Sequence, residues 1–293
     1  VTGQQVTDTP AGYKNSLKMT VATAESAVDA ADYLFLGYRL EGNDASVLEC
    51  GTSDAKEFTV SFWVKSSITG TYTLSFANYS DNRSHRKEYT ISSANTWEHK
   101  TVTLTADTTG TWFTNNSGGL NVTWMLLGGS NSVGAANTWT GDIKNVTSNQ
   151  TQWASTLGAT FFITGIQLEL GGVATEFEHK PITQDLLLSQ RYYYRTTERD
   201  TVNIINMSTE ASTAAAGGQP FPTTMRANPT ITFGSGLRFY SAATTVATFT
   251  MGQNRSSTTH MAFFINLSGG TAGQAATIYR AAADGYIEAD AEL

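Results

Sequence analysis

Glu169, Glu176 and Glu178 lie within ten positions of one another. Two carboxylates held about 5 to 9 Å apart in a cleft would hydrolyse a glycosidic bond, one as the acid and the other as nucleophile or base. In GIQLELG, however, Glu169 alternates with apolar neighbours as a strand residue does, and Glu176 and Glu178 belong to the loop-like VATEFEH. Structural or solvated roles suit all three better than catalysis. The four histidines, at 85, 99, 179 and 260, are scattered. They form no Ser-His-Asp order and no His-x-x-x-His metal spacing, and no phosphate-cradling loop is present. No catalytic residue is assigned, and the chain reads as a non-enzyme. Cys50 is the single cysteine, so there is neither an intrachain disulfide nor a Cys-based zinc site, and the residue reads as a small buried side chain in a reduced protein.

Binding chemistry is better motivated. The apolar face of a sugar stacks on an exposed aromatic ring while nearby Asn, Asp and Thr groups take its hydroxyls. Trp112, Trp139 and Trp153 fall in the polar stretches GTWFTNNSGG, ANTWTGD and TQWAST, and these three are the candidate glycan contacts. The alternative is that each folds back on the body of the domain or meets another subunit. Trp63 and Trp124 follow strand alternation and read as core or sheet-face residues, and Trp97 opens a strand. In RYYYR (191–195) an extended chain sends Tyr192 and Tyr194 one way and Tyr193 the other. Three rings on opposite faces cannot serve one ligand. Tyr193, Arg191 and Arg195 are therefore the candidate subunit or domain contacts.

The elements that must position these residues are strands. The chain has 293 residues, only 15% of them charged, with 26 Gly and 5 Pro. That is the composition of an all-β protein with hydroxyl-covered faces and many tight turns. The net charge of -7 and the lack of a Lys/Arg cluster argue against nucleic acid. No apolar run of about 18 residues is available to span a membrane, and the polar opening VTGQQVTDTP is not a signal peptide. Asn-x-Ser/Thr sequons at 78, 121, 145 and 266 are expected by chance in a chain so rich in Ser and Thr.

EFTVSFWVKSS (57–67) alternates cleanly, with Phe58, Val60, Phe62 and Val64 on one face. LNVTWML (120–126) does the same, and 33–42, 71–79, 96–106 and 159–171 add four more strands. VATAESAVDAADY (21–33) allows a helix. All six tryptophans and the last lysine, Lys180, lie at or before position 180, which marks a domain boundary. Pro181, the N-cap candidate Thr183 and Asp185 start a short linker helix. Strand-like segments then run to the end, with GQPFPTTMRANPT (218–230) left as loop or edge because of its prolines. The expected organisation is a jelly-roll β-sandwich over 1–180, a linker helix over 181–190 and a smaller C-terminal β-sandwich over 191–293.

The run FFITGIQLELGGVATEFEHKPITQDLLLSQRYYYR (161–195) resembles a family of bacteriophage virion proteins, often described as tail fibre or structural proteins. TPAGYKNSLKMTV (9–21), FTVSFWVKSS (58–67), YTISSANTWEHKTVTLTADTTGTW (89–112), GATFFITG (158–165), MRANPTI (225–231) and YIEADAEL (286–293) match the same family in order. The resemblance implies a jelly roll like a carbohydrate-binding module, a place in a tail fibre or similar virion appendage, and adsorption to host surface glycans. It further implies a homotrimer and contacts with other virion proteins. A head fibre or capsid decoration protein without sugar binding is the alternative, and a polysaccharide depolymerase a third reading. No cofactor is expected; a structural calcium ion would suit such a jelly roll, but no ion-loop spacing assigns its ligands. Only eight residues precede Thr9, so the family's opening strand is expected to be missing or to lie upstream.

Overall fold

The computed structural model describes all residues except 81, 197–202, 242–243, 247–248, 269 and 293, and only the backbone of 244–246. The fold is all-β, built from antiparallel sheets, and the chain divides into two compact units, Val1–Glu178 and His179–Leu293.

The first unit contains β1 (Thr2–Val6), β2 (Ser16–Thr20), β3 (Tyr33–Glu41), a one-turn helix α1 (Gly42–Ala45), β4 (Glu57–Ser66), β5 (Gly70–Asn78), β6 (Ser84–Ile91), β7 (Glu98–Thr105), β8 (Gly118–Gly128), β9 (Trp139–Thr140) and β10 (Thr160–Leu170). One sheet runs β1-β2-β10-β4-β7 and the other β3-β8-β5-β6-β9. The paired strands nest in sequence: β5 with β6, inside β4 with β7, inside β3 with β8, inside β2 with β10. One long hairpin folded over in this way is a jelly roll. Alternation explains the core. Phe58, Val60, Phe62 and Val64 of β4 point inward against Tyr72, Leu74 and Phe76 of β5 and Leu120, Val122 and Trp124 of β8. Phe62 meets Trp124 edge-on at 5.5 Å, and Phe58 meets Phe76 likewise at 5.5 Å. Each such ring taken out of water stabilises the unit by about 1.5 to 3 kcal/mol.

Residues 2–6 form a strand at the edge of their sheet, paired with β2 from Thr2↔Thr20 to Val6↔Ser16. One expectation changes in this unit. No helix forms over 21–33. That segment is instead tied to the loop before β10 by Val21 N–H to Ala159 O and Glu25 N–H to Ala154 O, bonds that compete with a helix. Thr59 and Ser61, on the outer face of β4, are buried. The chain after β10 reaches Thr59, whose hydroxyl donates to Gly171 O at 2.7 Å.

The second unit begins with α2 (Ile182–Gln190), a helix with no buried residue. Its strands are β11 (Tyr193–Arg195), β12 (Asn203–Ala211), β13 (Ala214–Pro220), β14 (Thr230–Phe233), β15 (Leu237–Ser241), β16 (Thr244–Val246), β17 (Thr250–Asn254), β18 (His260–Asn266), β19 (Ala275–Arg280) and β20 (Ile287–Asp290). They form a sheet β16-β15-β19-β12-β13-β18-β17 and a smaller one β11-β20-β14. Ile205, Met207, Phe239, Phe263, Ile265 and Ile278 of the large sheet pack with Ile231, Ile287 and Ala289 of the small one. Pro220 is the last residue of β13, a central strand, opposite His260. The expectation that 218–230 lies wholly outside a central strand is corrected: at a strand end no further ladder donor is needed, and the irregular stretch starts one residue later.

Candidate functional site

Outward-facing residues of the sheet carrying β3, β8 and β5 form the candidate site. On β3, Leu34, Leu36 and Leu40 pack against the core, so Tyr33, Phe35, Gly37 and Arg39 face out. The Tyr33 and Phe35 rings stack at 5.9 Å and 15° and are 60% and 43% exposed. A Cβ on Gly37 would lie 3.0 Å from the Phe35 ring, so it is the absence of a side chain at 37 that lets this ring lie down on the sheet and show its face to solvent. Beyond Gly37, the Arg39 guanidinium lies over the Tyr79 ring, 5.5 Å from its centroid. Tyr79 in turn meets Phe113 at 6.3 Å. From Tyr33 to Arg39 this aromatic track runs about 20 Å at roughly 3.3 Å per residue.

Beside the track lie hydrogen-bonding groups. Register places Arg39 next to Asn121 and Gly37 next to Thr123 on β8, and Thr123 next to Ser75 on β5. Ser75 Oγ and Asn121 Oδ1 are buried and have no hydrogen-bond partner among the described residues, whereas Thr123 is half-buried. Flat apolar rings flanked by hydroxyl and amide groups are what a sugar requires of a surface. Such a contiguous exposed patch also calls for a partner.

Over β5 and β6 this same outer face is covered by the segment 129–151, which bonds Thr73 and which Arg86 of β6 fixes in place. Arg86 is fully buried. Its guanidinium donates to Ala135 O at 2.8 Å, Lys144 O at 3.0 Å, Thr138 O at 3.3 Å, Ser84 Oγ at 2.8 Å and Thr140 Oγ1 at 3.2 Å. No carboxylate lies within ion-pair distance of it among the described residues. Burial pushes its pKa down. A planar five-donor fork can satisfy several carbonyls at once, as an ammonium cannot.

The three tryptophans separate. Trp153 is 0% exposed, donates to Thr160 O at 3.2 Å and meets Phe161 at 6.3 Å. It is a core residue, and the expectation of ligand contact is corrected: the ring turns in while its polar neighbour Gln152 bonds the backbone of Gly128. Trp112 and Trp139 are half-buried and meet edge-on at 5.5 Å and 90°. Their indole N–H groups donate to Thr109 O at 3.0 Å and Thr105 O at 2.9 Å. Both pack on the core edge, with Trp112 fitting against Gly51, where a Cβ would approach it to 3.0 Å and where φ is +82°. Trp139 also touches the buried ring of His85 at 5.1 Å.

In the second unit Tyr193, Arg195 and Thr232 converge on Glu288. The Tyr193 hydroxyl donates to it at 2.5 Å, Arg195 pairs with it at 3.3 Å and Thr232 donates at 3.1 Å. Arg195 also lies over Tyr286 at 3.8 Å, and Arg191 donates to Thr224 O at 3.3 Å. These candidate interface residues are thus engaged within their own unit. Tyr194 packs on Phe221 at 5.9 Å, opposite in direction to Tyr193 as alternation requires, whereas Tyr192 precedes the strand.

The carboxylates and histidines do not assemble. Glu169 is held by Gln167 at 2.7 Å and Thr175 at 2.8 Å, and those hydrogen bonds, Gln167 first, lower its pKa. No group of three or more His, Cys, Asp or Glu that could hold a metal gathers among the described residues. No described helix is long and apolar enough to cross a membrane. Sequence reasoning missed Tyr33, Phe35, Arg39 and Tyr79. The signal was present in YLFLGYRL (33–40), where two aromatics and an arginine share the parity opposite to three leucines.

No protein-family model matches the chain, and no curated protein does. Among solved structures it is similar to the enzymatically active domain of bacteriophage CBA120 tailspike protein 4, with 13% identity and a TM-score of 0.34 over 58% of this chain. That overlap spans 18% of the tailspike chain. It is also similar to the tandem N-terminal CBM22 domains of Paenibacillus barcinonensis Xyn10C, with 8% identity and a TM-score of 0.30 over 100% of this chain and 91% of that one. At these TM-scores neither protein's fold nor its activity transfers to this chain.

Proposed function

We propose that this protein is a non-enzymatic component of a phage virion appendage, a tail fibre or similar structure, whose jelly-roll unit adsorbs to host surface glycans along the track Tyr33, Phe35, Arg39 and Tyr79. The observation that carries the binding reading is the exposed, stacked Tyr33–Phe35 pair beside the outward Asn121 and Thr123. The virion reading rests on the resemblance that runs in order from residue 9 to the C-terminus. Assembly as a homotrimer, contact with other virion proteins and placement on the tail belong to the same proposal.

The packing of Trp112, Trp139 and Trp153 favours one alternative, a head fibre or capsid decoration protein in which the jelly roll is purely architectural. A glycan array probed with the full chain distinguishes the two. Retention of defined glycans, weakened about 3- to 10-fold by Phe35→Ala at about 0.5 to 1.5 kcal/mol per ring contact, supports adsorption. Absence of binding, together with antibody-gold label over the capsid, would sink it in favour of the decoration role. Release of reducing ends from host polysaccharide would overturn the non-enzymatic reading.

A further inference from the structure

A strand at the edge of a sheet carries a row of backbone N–H and C=O groups that a further strand can satisfy, and proteins guard such edges with charge, proline, bulges or brevity. The outermost strands here are β1, β7, β3 and β9 in the first unit and β11, β14, β16 and β17 in the second. Most are short: β1 and β17 have five residues, β14 four, β11 and β16 three and β9 two. The eight-residue β7 carries Glu98, His99 and Lys100. The edge strand β3 is the longest, at nine residues; its sequence YLFLGYRLE has no proline, and its two charges, Arg39 and Glu41, fall in its last three residues. Tyr33, Phe35 and Tyr38 stand 60%, 43% and 58% exposed along it.

We propose that β3 pairs antiparallel with β3 of a second copy of this chain, about a two-fold axis through Gly37. The sequence of the strand fits itself in that register. Gly37 is the middle residue of 33–41, so Leu34 to Leu40 pair with Leu40 to Leu34 of the copy, while Glu41 at the strand's end is buried in its own unit. On the core-side face Leu34 meets Leu40 and Leu36 meets Tyr38 of the copy. On the outer face Phe35 meets Arg39, a cation beside an aromatic ring. Centring the pair on Arg39 instead would set like charges against each other, at a cost. The contact is isologous, with the same patch used by both copies. It closes as a pair and by itself builds no trimer, so a threefold appendage would use another surface. Joining two β3 strands also fuses the two outer faces into one ten-stranded surface.

Two measurements on the full chain test this. In sedimentation equilibrium the wild type should exceed the monomer mass of 31.5 kDa and approach twice it, and Tyr38→Lys should weaken pairing tenfold or more. In a Cys50→Ser background, Phe35→Cys protein mixed with Arg39→Cys protein should form an intermolecular disulfide on oxidation, since directly opposed Cβ atoms lie about 4.5 to 5.5 Å apart. Phe35→Cys alone should not, because its two thiols would be about 13 Å apart along the strand. A wild type that stays monomeric at every concentration overturns the proposal and leaves the edge to a foreign strand. A dimer indifferent to Tyr38→Lys, or a disulfide in Phe35→Cys alone and none in the mixture, overturns it too.

Discussion

Substituting Arg86 by methionine keeps most of the side-chain volume and removes the donors that hold 129–151 to the sheet. The carbonyls of Ala135, Thr138 and Lys144 lose their guanidinium partner together. Each buried acceptor left unsatisfied costs about 1 to 3 kcal/mol. The segment can swing open and hydrate those oxygens, which caps the loss, so a net destabilisation of about 3 to 5 kcal/mol is expected. Arg86→Lys should recover only part of it, because a compact ammonium cannot reach three carbonyls and two hydroxyls at once. All six tryptophans lie in the first unit, so urea unfolding followed by tryptophan fluorescence reads this unit alone. Limited proteolysis within 129–146 gives a local readout. A change under about 1 kcal/mol, with the segment still protected, would refute the account of Arg86 as the fastening of that wall.

Other expectations follow from burial. Desolvation lowers the pKa of His85 to about 4, against an ordinary 6.5. The unfolded chain therefore binds the extra proton between these values, so stability should be full above pH 6.5 and fall by about 3 kcal/mol as pH drops to 4. His85→Phe should flatten that dependence; equal acid loss in both proteins would contradict it. Burial, with the Asp107 carboxylate adding to it, pushes the Cys50 thiol up to about 12, so iodoacetamide at pH 8 should label it slowly in the folded protein and rapidly in urea. Comparable rates in both states would count against a shielded thiol. Trp153→Ala should cost about 3 to 5 kcal/mol, whereas Phe35→Ala should leave the urea midpoint nearly unchanged; the reverse order would mean that their burial has been misassigned.

Where one side of a strand meets the core, the sequence was readable. β4 and β8 show period two because the interior admits only one parity of each, and Phe58 to Val64 lie where that pattern puts them. The AAAGG stretch of β13 hid a central strand, since alanine and glycine have little strand preference of their own and the pairing comes from β12 and β18 on either side. The site was less legible than the fold. Trp153 stands among polar residues, and whether a ring turns in or out of such a loop depends on chain far away in sequence, here Thr160 and Phe161. Tyr33 and Phe35 could be placed on an outward parity from the leucines between them, but their stacking depends on Gly37 leaving room for the Phe35 ring.

The nesting of the first unit has a consequence for how it is made. β2 and β10, its outermost pair, are neighbours in space but far apart in sequence, with Thr20 opposite Thr160. Closing a loop of about 140 residues costs roughly 4 kcal/mol of chain entropy, and contacts so distant slow folding. β10 also lies between β2 and β4, so a nascent chain halted before Thr160 would leave β1 and β2 cut off from the rest of their sheet rather than form a shorter jelly roll. On the ribosome this unit therefore stays incomplete until its last strand has emerged, and truncations ending ahead of Leu170 should yield aggregates rather than smaller domains.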